Sequence, residues 1–163
     1  MSGLLIVQHT PTETLQRLGE QVAAGAHDPA LEGVTVTVRS ALEATAADVL
    51  KADAIVLGTS ANFGYMSGAL KHFFDTIFLE VGGALDASGG PAASGQRRLP
   101  YGLWVHGRYD VTGAVRAVQS IVGALAWQQS APALEVLGAP GEAELAAAYE
   151  LGGTLAALAG EAR

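Results

Sequence analysis

Residues 52–75, ADAIVLGTSANFGYMSGALKHFFD, change period twice in 24 positions. Ala54-Ile55-Val56-Leu57 is a short continuous apolar run, suited to a strand buried on both faces. Gly58 to Gly68 is rich in small and polar residues and reads as a loop. Met66, Leu70, Phe73, Phe74 and Ile77 then fall on one face of a helix running from near Met66 to Phe78. Strand, loop and helix in that order make up the repeating unit of an α/β protein.

The same alternation extends in both directions. Upstream, Leu4 to Val7 is a second doubly buried strand, and Leu15, Leu18, Val22 and Ala26 recur at helical spacing. Val34-Thr35-Val36-Thr37-Val38 alternates strictly, which predicts a strand nearer the edge, and Ala46 to Leu50 a short helix. Downstream, Tyr101 to Val105 predicts a fourth strand, Val111 to Ala126 a helix, Ala133 to Leu137 a fifth strand, and Gly141 to Leu158 a closing helix. Residues Gly82 to Gly95, with five glycines, Pro91 and two serines, interrupt the pattern as either a mobile lid or a plain insertion. The expectation is one domain with a doubly wound parallel sheet. Ligands of such sheets bind outside the carboxyl ends of the strands, where the strand order reverses. That points to the turns after Gln8, after Gly58 and after Val105.

Bulk properties narrow the function. The formal charge of −7, with Arg97-Arg98 as the only adjacent basic pair, argues against a nucleic-acid partner. No apolar run approaches the ~20 residues that span a bilayer. The opening Met-Ser-Gly-Leu-Leu-Ile-Val reads as a strand rather than a signal peptide, and a cytoplasmic protein is expected. With no cysteine, disulfides, thiolate metal sites and thiol catalysis are excluded. His9, His27, His72 and His106 lack the close spacing of a metal pair, so no metal is expected. Trp104 and Trp127 read as core or interface, and Lys71 with Asp75 as a surface pair four residues apart on a helix.

Three loops carry the chemistry. His9-Thr10-Pro11-Thr12-Glu13-Thr14 opens a helix, whose free amides and dipole favour an anion. Thr10, Thr12 and Thr14 add hydroxyl donors; any one of them is equally well an N-cap, and Glu13 a first-turn acid that complements the dipole. The glycine spacing and lysine of a Walker loop are missing, as is the glycine fingerprint of dinucleotide folds. Gln8 and His9 at the first strand end, in place of acids, exclude a phosphoacceptor receiver. In the second loop, Thr59, Ser60, Ala61, Asn62, Phe63, Gly64 and Tyr65 combine backbone donors, an amide and two rings. That set suits a flat heteroaromatic ligand, stacked on Phe63 or Tyr65 and met at its polar edge by Asn62. The alternative is that the rings cover the sheet end while Asn62 caps the next helix.

The stretch Ala52 to Asp75 resembles the flavodoxin-like NAD(P)H-dependent FMN reductases and quinone reductases. Gly58, Thr59, Gly64, Met66, Ser67, Gly68, Lys71, Phe73 and Asp75 match their pattern in order, with Ser60 where a proline is usual. The resemblance extends more weakly from Leu4 to Leu158. It implies a flavodoxin-like three-layer sandwich with a five-stranded parallel sheet in the order 2-1-3-4-5. It also implies FMN as cofactor, with its phosphate on the first loop and its ring on Thr59 to Tyr65. The first loop departs from the family pattern at Glu13 and Leu15. The resemblance implies that the third loop, His106, Gly107, Arg108, Tyr109 and Asp110 through Gly113, flanks the ring from the other side. Gly107 would then allow close approach, and Gly64, Gly107 and Gly113 together would leave a ring face open to the nicotinamide. His106 is either a donor to a flavin carbonyl or quinone oxygen or a structural histidine, and Arg108 either meets a phosphate of NAD(P)H or electron density at the reduced ring, or is a solvated loop charge that can pair with Asp110. Function is then reduction of flavin, a quinone or another small acceptor by NAD(P)H, with the helix from Val111 to Trp127 as a candidate homodimer or higher-oligomer interface. The alternatives are a non-enzymatic ligand-binding or interaction module and a one-electron carrier.

Overall fold

A computed structural model describes residues 1–82, 87–88 and 97–162 of the chain. Strand β1 (Ser2–Gln8) is followed by α1 (Glu13–Ala26), β2 (Val34–Ser40), α2 (Ala46–Lys51) and β3 (Ala54–Asn62). After a two-residue β4 (Tyr65–Met66) come α3 (Gly68–Ile77), β5 (Pro100–Gly107) and α4 (Thr112–Ala124). The short β6 (Gln128–Gln129) and β7 (Leu134–Leu137) precede the long closing helix α5 (Glu142–Glu161).

The main sheet runs β2-β1-β3-β5, with β6 and β7 both pairing to the far side of β5, and all of these pairs are parallel. This is the expected 2-1-3-4-5 order with its fifth strand in two pieces. Three steps along β5 from Tyr101 to Trp104 lie opposite five steps from Gln129 to Leu134. The surplus bulges out around Pro132, which has no amide hydrogen to give a ladder. Strand β2 is the other edge, as its alternation predicts.

Because successive side chains of a doubly buried strand point to opposite faces, the apolar runs build two cores. Leu5, Val7, Ile55, Leu57, Leu103 and Val105 pack against α3 and α4 through Leu70, Phe73, Phe74, Val115 and Val118. Leu4, Ile6, Val56 and Trp104 pack against α1 and α5 through Leu15, Leu18, Val22, Leu151 and Leu155. Both tryptophans are core residues, Trp127 on the first face and Trp104 on the second. The α1–α5 crossing depends on missing side chains: a Cβ on Gly25 would overlap the Tyr149 carbonyl, and one on Gly152 the Val22 carbonyl.

Two of the boundaries that differ from those predicted shape the strand ends. Strand β3 continues past Gly58 to Asn62, and β5 past Val105 to Gly107. Gly58 therefore lies inside a strand, where its missing side chain makes room for the Trp104 indole lying across it. Met66 lies in β4, and Ser67 caps α3 by accepting from the Leu70 amide at 3.2 Å. Most of the expected lid, residues 83–86 and 89–95, lies outside the described residues.

Candidate functional site

The three loops named from the sequence sit together beyond the carboxyl ends of β1, β3 and β5. The first is tied to the sheet by the His9 amide, which donates to the Gly58 carbonyl at 3.1 Å. Thr12 is the N-cap of α1, its Oγ1 accepting from the Leu15 amide at 3.3 Å. Thr10 and Thr14 are half-buried, and Pro11, Thr12 and Glu13 are exposed. Glu13 is the first residue of α1, so its carboxylate complements the helix dipole. The amides of Glu13 and Thr14 are among the donors that a helix start leaves without an intrahelical acceptor.

The second loop is not an open loop. Ala61 pairs with Met66 and Asn62 with Tyr65, closing an antiparallel hairpin on β3. Its two-residue turn is Phe63 and Gly64, with φ of 52° and 77°. Positive φ at both positions is the turn geometry that suits the twist of a hairpin and favours Asn-Gly. A phenylalanine in that conformation costs roughly 1–2 kcal/mol. Its ring is fully exposed, at 110% of the reference area, with Tyr65 at 42% on the adjoining strand. Thr59, by contrast, is buried; its hydroxyl donates to the Ser60 carbonyl at 2.8 Å and accepts from the Ser67 amide at 3.0 Å. It secures the hairpin's return. Ser60 and Ala61 are half-buried, and Asn62 is exposed, with Ser67 taking the helix cap that Asn62 was an alternative for.

In the third loop, His106 Nε2 donates to the Gly138 carbonyl at 2.8 Å, and the Gly138 amide returns a bond to the Gly107 carbonyl at 2.9 Å. His106 is thereby engaged in joining β5 to the turn after β7. Arg108, Tyr109 and Asp110 are exposed, Tyr109 at 83%. Asp110 accepts from the amide and hydroxyl of Thr112, at 3.0 and 2.7 Å, and these bonds hold its carboxyl below the usual range. Arg108 makes no ion pair with it, and none with any other of the described residues. Lys71 does pair with Asp75, at 2.6 Å.

The three glycines expected to leave a ring face open divide. Only Gly64 has open space beside it. A Cβ on Gly113 would overlap the Gly64 carbonyl, so Gly113 lets the start of α4 dock onto the hairpin turn. A Cβ on Gly107 would come within 2.8 Å of Val111 Cγ1 and 3.3 Å of Ala61 Cβ. Both are packing positions. One neighbour of the site has no local sequence signal: parallel pairing of Gln8 with Ser40 brings Ser40 level with the start of the first loop.

No family model matches the chain. Over 86 residues it is 36% identical to a flavodoxin of Aquifex aeolicus (strain VF5), a match covering 53% of this chain and 45% of that protein. The chain thus spans less than half the length of the curated relative it matches. Among solved structures, a flavodoxin from the domain Archaea superposes with a TM-score of 0.76 at 14% identity, covering 96% of this chain and 98% of that one. A flavodoxin, WrbA-like protein from Agrobacterium tumefaciens gives 0.73 at 19% identity over 100% of both chains. Rubredoxin oxygen:oxidoreductase from Desulfovibrio gigas gives 0.74 at 10% identity, over 99% of this chain but 37% of that one. The fold is therefore flavodoxin-like.

Proposed function

We propose that this chain binds FMN across the three loops and uses NAD(P)H to reduce flavin, a quinone or another small acceptor. The observation that carries this reading is Phe63, a fully exposed aromatic ring held in a strained turn at the ligand-binding end of the sheet. Strain of this kind persists where the surroundings enforce it and clusters at ligand clamps. Phe63, Tyr65 and Tyr109 offer apolar planes to a flat ring, and Asn62 offers both donor and acceptor to its polar edge. The hydroxyls of Thr10 and Thr14 and the first amides of α1 suit a phosphate acceptor. The residues present thus fit the group. When bound, FMN supplies the redox chemistry, and the chain's part is to position it and shield it from water. The guanidinium of Arg108, without an ion pair among the described residues, is available to a phosphate of the nucleotide donor. A homodimer or higher oligomer in the cytoplasm completes the proposal, with sedimentation velocity reading the assembly state.

A second reading, a dedicated one-electron carrier, draws support from the Aquifex aeolicus protein's description as a flavodoxin. One anaerobic experiment separates the two. NADPH or NADH added to the FMN-loaded protein should bleach the oxidised flavin band within minutes. If neither does, while dithionite bleaches it, the reductase reading is wrong and the carrier takes its place.

A further inference from the structure

The two edges of the main sheet are unlike. Beyond β5 the edge is broken into β6 and β7, with Pro132 between them. Such a break denies a further strand a regular ladder. Strand β2 has no such protection. All seven of its residues, Val34–Ser40, pair in unbroken register with β1, and among the described residues β2 pairs with no other strand. It holds no proline, no bulge and a single charge, Arg39, next to its end. A long, regular edge of β-branched residues is a template for another strand.

The sequence of β2 selects that strand. Val34-Thr35-Val36-Thr37-Val38 reads the same in both directions. An antiparallel copy turned about a two-fold axis at Val36 meets its own kind at every position: Val36 opposite Val36, Val34 opposite Val38, Thr35 opposite Thr37. The faces agree as well. Thr37 lies level with Leu5, which packs in the α3–α4 core, so the threonines are on that face, while Val34 and Val36 pack against the α1–α5 core. A two-fold axis normal to the sheet keeps each set on its own side, and Val38, 42% exposed in one copy, joins a cluster of six valines. Beyond the palindrome, Arg39, which pairs with Asp48 of its own chain, comes level with Gly33 of the second copy, next to Glu32. Opposite charges are therefore neighbours at both ends. We propose that β2 is a homodimer interface, pairing antiparallel with β2 of a second copy about Val36 to make one continuous sheet. Such a contact is isologous and closes on itself. Outward backbone groups supply the affinity, and the Val and Thr pairs fix the register. This deepens the assembly proposed above by giving it a surface. It leaves the flavin loops free, since antiparallel strands point the loops of the two copies in opposite directions.

The chain contains no cysteine, so a single introduced one reads the register. Only residue 36 meets itself. Val36→Cys places two thiols on directly opposite residues, with Cα atoms about 4.5–5.5 Å apart, within disulfide reach. Thr35→Cys places them on a diagonal at roughly 7–8 Å, beyond it. Under mild oxidation Val36→Cys should cross-link two chains and Thr35→Cys should not. Sedimentation velocity supplies the second arm, with wild type running as a dimer of the 16.6 kDa chain. The double variant Thr35→Lys, Thr37→Lys sets lysines directly opposite at two places and should raise the dimer dissociation constant by about tenfold. Thr35→Glu, Thr37→Lys sets opposite charges there and should restore the dimer. Thermal unfolding confirms that each variant is folded, and all should keep the flavin affinity of wild type. A monomeric wild type, a dimer that the two lysines leave intact, or a Val36→Cys chain that cross-links no better than Thr35→Cys would overturn the proposal. Failure of wild type to bind flavin would sink the FMN reading and leave the dimer standing, because neither arm uses a ligand.

Discussion

Phe63 sets the cost of its turn against the flavin contact proposed for it. Asparagine tolerates positive φ far better than phenylalanine, and Asn-Gly is the preferred pair at such a turn. The exposed ring gives the folded chain little in return. Phe63→Asn should therefore raise stability by roughly 0.5–1 kcal/mol, read as a higher midpoint in urea or heat. The same change removes the proposed stacking plane, so on that proposal FMN and riboflavin should both weaken, by roughly 0.5–1.5 kcal/mol and to the same degree. A drop in stability would mean that the ring packs usefully in the free protein. Unchanged flavin affinity would move the ring-binding surface to Tyr109 and Tyr65. The residue was legible as a candidate because an aromatic stood in a small-residue stretch. Its strain was not, because Asn62-Phe63-Gly64 lacks the dipeptide that announces this turn.

The element that shows most plainly how a short helix is held is α2, six residues long and closed by a capping box between Thr45 and Asp48. Burial pushes the Asp48 carboxyl up, but the amide and hydroxyl of Thr45 and the charge of Arg39 together outweigh it and hold it below its usual value. A carboxyl whose folded value is depressed adds stability above its unfolded value. That contribution is lost as the pH falls through the folded value. Asp48→Asn should accordingly cost stability at neutral pH, by about 1 kcal/mol, since its cation Arg39 is half exposed and screened by solvent. The gap to wild type should close in acid, as the pH falls below the ordinary carboxylate value and through the lower folded one. A gap that stays constant with pH would assign the loss to the cap hydrogen bonds alone. Helix α4 is started differently: its N-cap Val111 makes no side-chain cap hydrogen bond, and Asp110 instead accepts from Thr112. The apolar residues of α4, expected from the sequence to serve an oligomer interface, include Ala114, Val115, Val118 and Val122, which face the core. Arg116, Ser120 and Gly123 face outward.

Across the whole molecule, the outer layer formed by α1 and α5 depends on glycines at the crossing. Gly152→Ala places a methyl group against the Val22 carbonyl, which belongs to a helix backbone and has little room to yield. The helices must separate, and overpacking of this kind costs about 1–3 kcal/mol. Thermal unfolding of Gly152→Ala should show that loss, whereas Gly123→Ala, with open space around it, should be neutral or slightly stabilising. Equal effects at the two positions would show that helix propensity, not the crossing, decides.

Period alone determined the layers of this protein. Apolar runs of doubly buried strands, the alternation of Val34 to Val38 and the faces of α1 and α3 are local patterns, and each is found in place. The same local reading located the loops at the strand ends, since small and polar residues follow every buried run. Tertiary structure decided what those loops became. Whether Gly58 is a turn or a strand depends on Trp104 lying across it, from a strand 46 positions away in sequence. Whether Gly113 faces a ligand or a backbone depends on where the hairpin turn docks. His106 is engaged by the carbonyl of Gly138, and Ser40 comes level with the start of the first loop only through the parallel register of β1 and β2. Each of these rests on contacts between residues distant in sequence, to which side-chain period along one segment is blind.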